Sequence, residues 1–154
     1  MNSVEINNPV QCRLSHRLIR ETILQALKRL RRGAGEISVV LVDFSAIRRL
    51  NRQYRGLDRV TDVLSFAGQA PDEFKLTSGR PPLSGGEIII CYPQASKQAK
   101  ENGHGVGEEV KILLVHGLLH LLGYDHETAG DAREMEEMEE KILKRAQLSQ
   151  RLFD

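Results

Sequence analysis

The residues best placed to do chemistry are His116, His120 and His126, within the run H-G-L-L-H-L-L-G-Y-D-H at 116–126. Four positions are a little over one helical turn, so His116 and His120 project from one helix face about a turn apart. Gly123 can take the left-handed conformation that ends a helix, after which the chain turns back and delivers His126 from a loop. Three converging imidazoles leave a fourth position open, which is the arrangement of a catalytic rather than a structural zinc. The competing reading is a buried helix whose histidines are satisfied by backbone or carboxylate partners.

The histidine and glycine positions resemble the metzincin signature H-E-x-x-H-x-x-G-x-x-H, with one departure. Gly117 stands where a metalloprotease carries its general-base glutamate. The ligand positions are present and the protease base is not. Asp125 offers an acceptor for an imidazole N–H, or equally a cap for the turn. Between the histidines and before them, Val110, Ile112, Leu113, Leu114, Val115, Leu118, Leu119, Leu121 and Leu122 make the helix apolar on nearly every face. Such a helix is buried on most sides, and burial fixes the rotamers of the histidines it carries. It is too short for a membrane span, and Glu108, Glu109 and Lys111 precede or enter it.

The elements that must position this helix follow from periodicity. Residues 4–6 alternate as a short first strand. Leu14, Leu18, Ile19, Ile23, Leu27 and Leu30 recur at helical spacing over residues 14–31, and Gly33 and Gly35 end that helix. Residues 37–42 read as a second strand, and Asp43 or Ser45 can cap a short helix through Tyr54. Residues 62–66 read as a third strand, 68–86 as a loop rich in Gly, Pro and Ser, and 87–92 as a fourth strand. Pro93 opens a helix to Asn102, and Gly103, Gly105 and Gly107 break the chain before the histidine helix. A charged helix over 128–148 closes the domain, with Met135, Met138, Ile142 and Leu143 on its inner stripe. Its acidic run at 134–140 reads as a solvated face. His16 and His104 read as ordinary surface histidines. The whole is a single α+β domain over residues 1–154, a small mixed four-stranded sheet packed with about five helices.

A chain of 154 residues can bury a substantial core, and its apolar and charged fractions are those of a soluble globular protein. No signal peptide or transmembrane stretch is legible, which makes the cytoplasm the expected location. Cys12 and Cys91 belong to no C-x-x-C pair and are expected as buried or half-buried free thiols. The formal net charge of +1 conceals an asymmetry: residues 1–80 carry 14 Lys/Arg against 8 Asp/Glu, whereas residues 81–154 carry 8 against 13. Arginine dominates the basic half, and its planar fork suits phosphate. Solvated helix faces balanced by an acidic helix would produce the same numbers.

Three blocks together resemble the YbeY family, bacterial rRNA maturation factors described as single-metal endoribonucleases. The first is the histidine run with its G-Y-D-H ending. The second is L-N-R-Q-Y-R-G-L-D at 50–58 followed by T-D-V-L-S-F at 61–66, and the third is G-E-I-I-I at 86–90. The resemblance implies one zinc on His116, His120 and His126, and an important arginine at Arg55. It also implies single-strand-specific cleavage in 3′-end maturation of small-subunit rRNA and in ribosome quality control, with rRNA, the small subunit and other maturation factors as partners. Val60 replaces a usual proline and Glu87 a usual aspartate. The longer Glu87 side chain argues against chemistry that needs an exactly placed carboxylate there. On this reading Arg55 holds a non-bridging phosphate oxygen as charge develops, while the structural alternative for it is a salt bridge to Asp58 or Asp62. Tyr54 and Tyr124 are candidates for base stacking. Two other functions compete: a zinc peptidase-like hydrolase lacking the glutamate, and a ribosome-binding protein with a structural zinc that unfolds when the metal is removed. Three imidazoles can also take nickel, copper or iron.

Overall fold

A computed structural model describes residues 3–33, 35–67, 85–124 and 128–143. Its sheet is organised by β2 (Glu36–Val42), in which Ile37, Val39 and Leu41 face one side and Val40 and Val42 the other, all buried. A strand apolar on both faces must be covered on both, so it belongs inside a sheet between helical layers. It lies parallel to β1 (Ser3–Asn7) on one side and to β4 (Gly85–Cys91) on the other. β3 (Val63–Phe66) runs antiparallel to β4, pairing Val63 with Ile90 and Phe66 with Glu87, and forms an edge of the sheet order β1-β2-β4-β3.

Five helices cover this sheet among the described residues: α1 (His16–Leu30), α2 (Phe44–Arg55), α3 (Tyr92–Glu101), α4 (Val106–Leu121) and α5 (Ala129–Leu143). α1, α3 and α4 pack over the face carrying Ile37, Val39, Leu41, Ile88 and Ile90, with α4 the most deeply buried of them, and α5 packs onto α4 and α1. α2 alone serves the opposite face, setting Ile47 and Leu50 against Val40, Val42, Ile89, Leu64 and Phe66. The expected α+β class and mixed four-stranded sheet are therefore observed.

Local signals set the boundaries. Ser15 Oγ accepts from the Leu18 N–H at 3.2 Å and starts α1, and Asp43, not Ser45, caps α2 by accepting from the Ala46 N–H at 2.9 Å. Gly56 at φ +73° and Gly123 at φ +98° end α2 and α4 in the left-handed region, where glycine is unstrained. Of the expected 68–86 loop, residues 68–84 lie outside the described residues, while Gly85 and Gly86 already belong to β4. The last helix is described to Leu143, so its expected continuation to 148 also lies outside. Cys12 is half-buried and Cys91 buried, and both are free thiols. No helix among the described residues is long and apolar enough to cross a membrane.

His104 corrects the sequence reading. It is not an ordinary surface residue: its side chain is only 16% exposed, and Nε2 lies 2.7 Å from Oε1 of the fully buried Glu109. A carboxylate taken out of water needs donors, and the glycine turn after α3 folds His104 back to supply one. Gln98 and Asn102 donate to the same carboxylate at 3.1 and 3.3 Å. Gln98 also donates to Asp62 Oδ2 at 3.2 Å, tying the segment before β3 to the start of α4.

Candidate active site

Edge strand β3 leaves a cleft of about 580 Å³ between itself, α4 and the end of α2, lined by Arg55, residues 61–67, His116, His120 and Leu121. α4 needs little help from the histidines to stay in place, because Val110, Leu114, Leu118 and Leu119 are completely buried around them. His116 and His120 are the polar interruptions of that surface and open to the cleft. Their Nε2 atoms are 3.2 Å apart, with the rings steeply inclined at 76°. Two nitrogens each about 2.05 Å from a tetrahedral zinc would be about 3.3 Å apart, so the pair has the spacing of two ligands to one ion.

A residue that sequence reasoning missed supports this arrangement. His116 Nδ1 lies 2.5 Å from Oε1 of Glu139, which is 6% exposed on α5. An ionised carboxylate only accepts, so Nδ1 is the N–H that faces it, and in the neutral imidazole Nε2, on the side of His120, is then the nitrogen with the lone pair. The acidic run at 134–140 is therefore not solvated throughout: Met135, Glu139 and Ile142, at i, i+4 and i+7, form the buried stripe. A carboxylate inside an apolar stripe was the available signal. Arg32 adds a second support, donating to the Leu122 carbonyl at 3.0 Å just after the end of α4. His126 and Asp125 themselves lie outside the described residues.

Gly117 has a steric explanation. A Cβ there would stand 3.0 Å from both Ile88 Cγ2 and Ser65 Oγ, and Ser65 Oγ donates to the Gly117 carbonyl at 3.1 Å. The helix approaches the sheet closely at this point, so any side chain here starts in tight contact with Ile88 and Ser65, and a glutamate would start toward the packed layer.

Arg55 reaches the cleft from the end of α2. Its Nη2 donates to the Ser65 carbonyl at 2.8 Å, and its guanidinium carbon sits 4.8 Å from the centre of the Phe66 ring. Tyr54 packs edge-on against the same ring, with centroids 5.6 Å apart. The alternative salt bridge is not formed. Asp58 pairs with Arg48 at 2.8 Å, and this hydrogen bond holds the exposed Asp58 carboxyl below the usual carboxylate range. Asp62 instead takes Gln98. Glu87 is buried in β4 and does not line the cleft. Tyr124 lines a different cavity with Arg32, Asp131 and Glu134, so it is not placed to stack a base beside the histidines.

A small α+β domain that gathers a histidine pair, a carboxylate buttress and an arginine around one open cleft has the make-up of a hydrolase. The family model described as endoribonuclease YbeY matches residues 4–147. Endoribonuclease YbeY of Moorella thermoacetica is 50% identical over 113 residues, covering 72% of each chain. Its counterpart in Brevibacillus brevis is 42% identical over 154 residues, covering 93% of this chain and 96% of that one. The solution structure of TM1509 from Thermotoga maritima matches with a TM-score of 0.60 at 27% identity, covering 97% of this chain and 92% of that one. The chain belongs to the YbeY endoribonuclease family.

Proposed function

We propose that this endoribonuclease is zinc-dependent and cuts single-stranded RNA at the 3′ end of small-subunit rRNA, in ribosome maturation and quality control in the cytoplasm. The observation that carries the metal dependence is the pair of facing Nε2 atoms at 3.2 Å, with one ring held by a buried carboxylate. His116 and His120, joined by His126, would hold the ion. When bound, zinc supplies Lewis acidity and makes hydroxide available near neutral pH.

The chain's own residues do the rest. Glu139 keeps the His116 proton on Nδ1 and so keeps Nε2 available. Arg55 spends one N–H on Ser65, and the remaining donors of its fork can receive a non-bridging phosphate oxygen. Phe66 beneath the guanidinium fixes its plane, so little reorganisation is needed as charge develops. Val63, Leu64, Phe66 and Leu121 give the cleft apolar walls that strengthen this attraction. The peptidase alternative is disfavoured by Gly117, which supplies no base and whose surroundings are tight for a side chain, and by Arg55, which occupies an edge-strand carbonyl that a peptide would need. Against a purely structural zinc, the apolar packing of α4 holds the helix without an ion.

The test is cleavage of an rRNA precursor carrying the small-subunit 3′ region by wild type, His116→Ala and Arg55→Ala, with zinc content measured for each. The proposal expects His116→Ala to lose zinc and cutting together, and Arg55→Ala to keep zinc while cutting falls by about a hundredfold or more. Equal cutting by all three would assign the activity to a contaminant. Unfolding on chelation would revive the structural zinc.

A further inference from the structure

We propose that the exposed flank of α2 beside the cleft is a track for single-stranded RNA that feeds the strand into the cleft, an inference that rests on the endoribonuclease reading above. Phe44, Arg48, Arg52 and Arg55 recur at i, i+4, i+8 and i+11, so they share one face of the helix, and all four are exposed. The face turned to the sheet is occupied by Ile47, Leu50 and Asn51. At 1.5 Å per residue the stripe is about 16 Å long. It ends at Arg55, which is already a wall of the cleft.

Its chemistry is that of a strand-binding platform. α2 contains no acidic residue, and three of the four exposed large hydrophobics among the described residues, Phe44, Tyr54 and Leu57, lie on it or on the turn after it. Exposed rings beside arginines suit unpaired bases and their phosphates, whereas a duplex hides its base faces. The ordinary explanation for arginines in a last helical turn is the helix dipole. That accounts for Arg52 and Arg55 but not for Arg48, two turns earlier, or for Phe44 at the start. Arg48 is held by Asp58, but both partners are more than half exposed, so a phosphate can displace the carboxylate.

The experiment measures binding of a fluorescent single-stranded 2′-O-methyl oligonucleotide between 50 and 200 mM salt, with cleavage of the rRNA precursor followed in parallel. Each phosphate contact contributes a slope of about 0.7 in log K against log salt for a single strand, so two contacts contribute about 1.4. Across this fourfold change in salt, wild type should lose about sevenfold more affinity than Arg48→Ala/Arg52→Ala. Phe44→Ala should weaken binding by about fivefold with the slope unchanged, as loss of one stacked base does. Asp58→Asn should tighten binding by freeing Arg48. An unchanged slope and KM in the double arginine variant, with wild type cutting normally, would overturn the track and leave the nuclease standing. Affinity for a duplex equal to that for the single strand would also overturn it. The full set of binding effects in a protein that cuts nothing would retain the track and remove the nuclease.

Discussion

The contact between Glu139 and His116 makes a quantitative demand. Glu139 is 6% exposed, reaches across from α5 to α4, and sits 2.5 Å from Nδ1 of an imidazole whose other nitrogen faces His120. Carboxylates placed behind a ligand histidine are worth 10- to 100-fold in metal affinity, or about 1.4 to 2.7 kcal/mol. Glu139→Gln keeps an acceptor at nearly the same place but makes the bond neutral, and a neutral bond is about half as strong. It should therefore fall near the tenfold end, and Glu139→Ala, with no acceptor, near the hundredfold end. Zinc affinity is read by competition with a chromophoric chelator. The gap in unfolding free energy between saturated and metal-free protein gives a second reading and should shrink by the same amount. The metal-free protein supplies the control, since removing one partner of this pair has its own cost to stability whether or not zinc is bound. If Glu139→Ala lowers the stability of the metal-free protein yet leaves both zinc affinity and the gap untouched, Glu139 is a packing residue and the reasoning fails.

Other outcomes follow from the geometry. Gly117→Ala gains about 1 kcal/mol of helix propensity but meets Ile88 and Ser65 at 3.0 Å, an overpacking cost of about 1–3 kcal/mol, so urea denaturation should register a net loss of up to about 2. Gly117→Glu should lose more and gain no peptide hydrolysis; a stable, peptide-cutting variant would contradict the packing argument. Gly86→Ala places a Cβ 2.3 Å from the Phe66 carbonyl oxygen, inside the β3–β4 pairing, and should cost about 3 kcal/mol or more, whereas an unchanged denaturation midpoint would show that β3 moves freely. Burial, with Asp43 and Asp62 adding to it, pushes the Cys91 thiol up to about 11 from 9.0. Its neutral form is favoured by folding, so the associated stability is intact below the ordinary thiol range and is lost as pH rises toward 11. In the native protein at pH 8 an aromatic disulfide reagent should label Cys12 well before Cys91, and prompt labelling of both would refute the burial.

The parts legible in the sequence were those written in short-range patterns. Apolar residues at 37–42 and 88–90 announced strands, and Asp43 and Gly123 mark helix ends that the backbone confirms. The histidine pair was equally legible, because a four-residue spacing on one helix determines its own geometry. What escaped depends on elements distant in the chain. Glu139 becomes a partner of His116 only when α5 crosses α4, and its neighbours at 134–140 made it look like one more solvated acid. His104 looked peripheral because nothing local reveals that Glu109, five residues on, is fully buried. Arg55 had two acids within reach along the chain, and its actual partner is a backbone carbonyl of an edge strand.

The position of β4 also sets an order of assembly. This strand comes after β1, β2 and β3 in the chain yet lies between β2 and β3 in the sheet, and among the described residues it is the strand that β3 pairs with. During synthesis, residues 63–66 must wait for 85–91 before the strand pairing with β4 can form, and the histidines and Glu139 arrive later still. Long-range pairings of this kind fold slowly and leave strand edges open in the interval. The cleft is therefore completed only after β4, α4 and α5 have all been made. A chain that stops before α5 has the histidine pair of α4 without the carboxylate behind His116, and should hold zinc more weakly than the full chain.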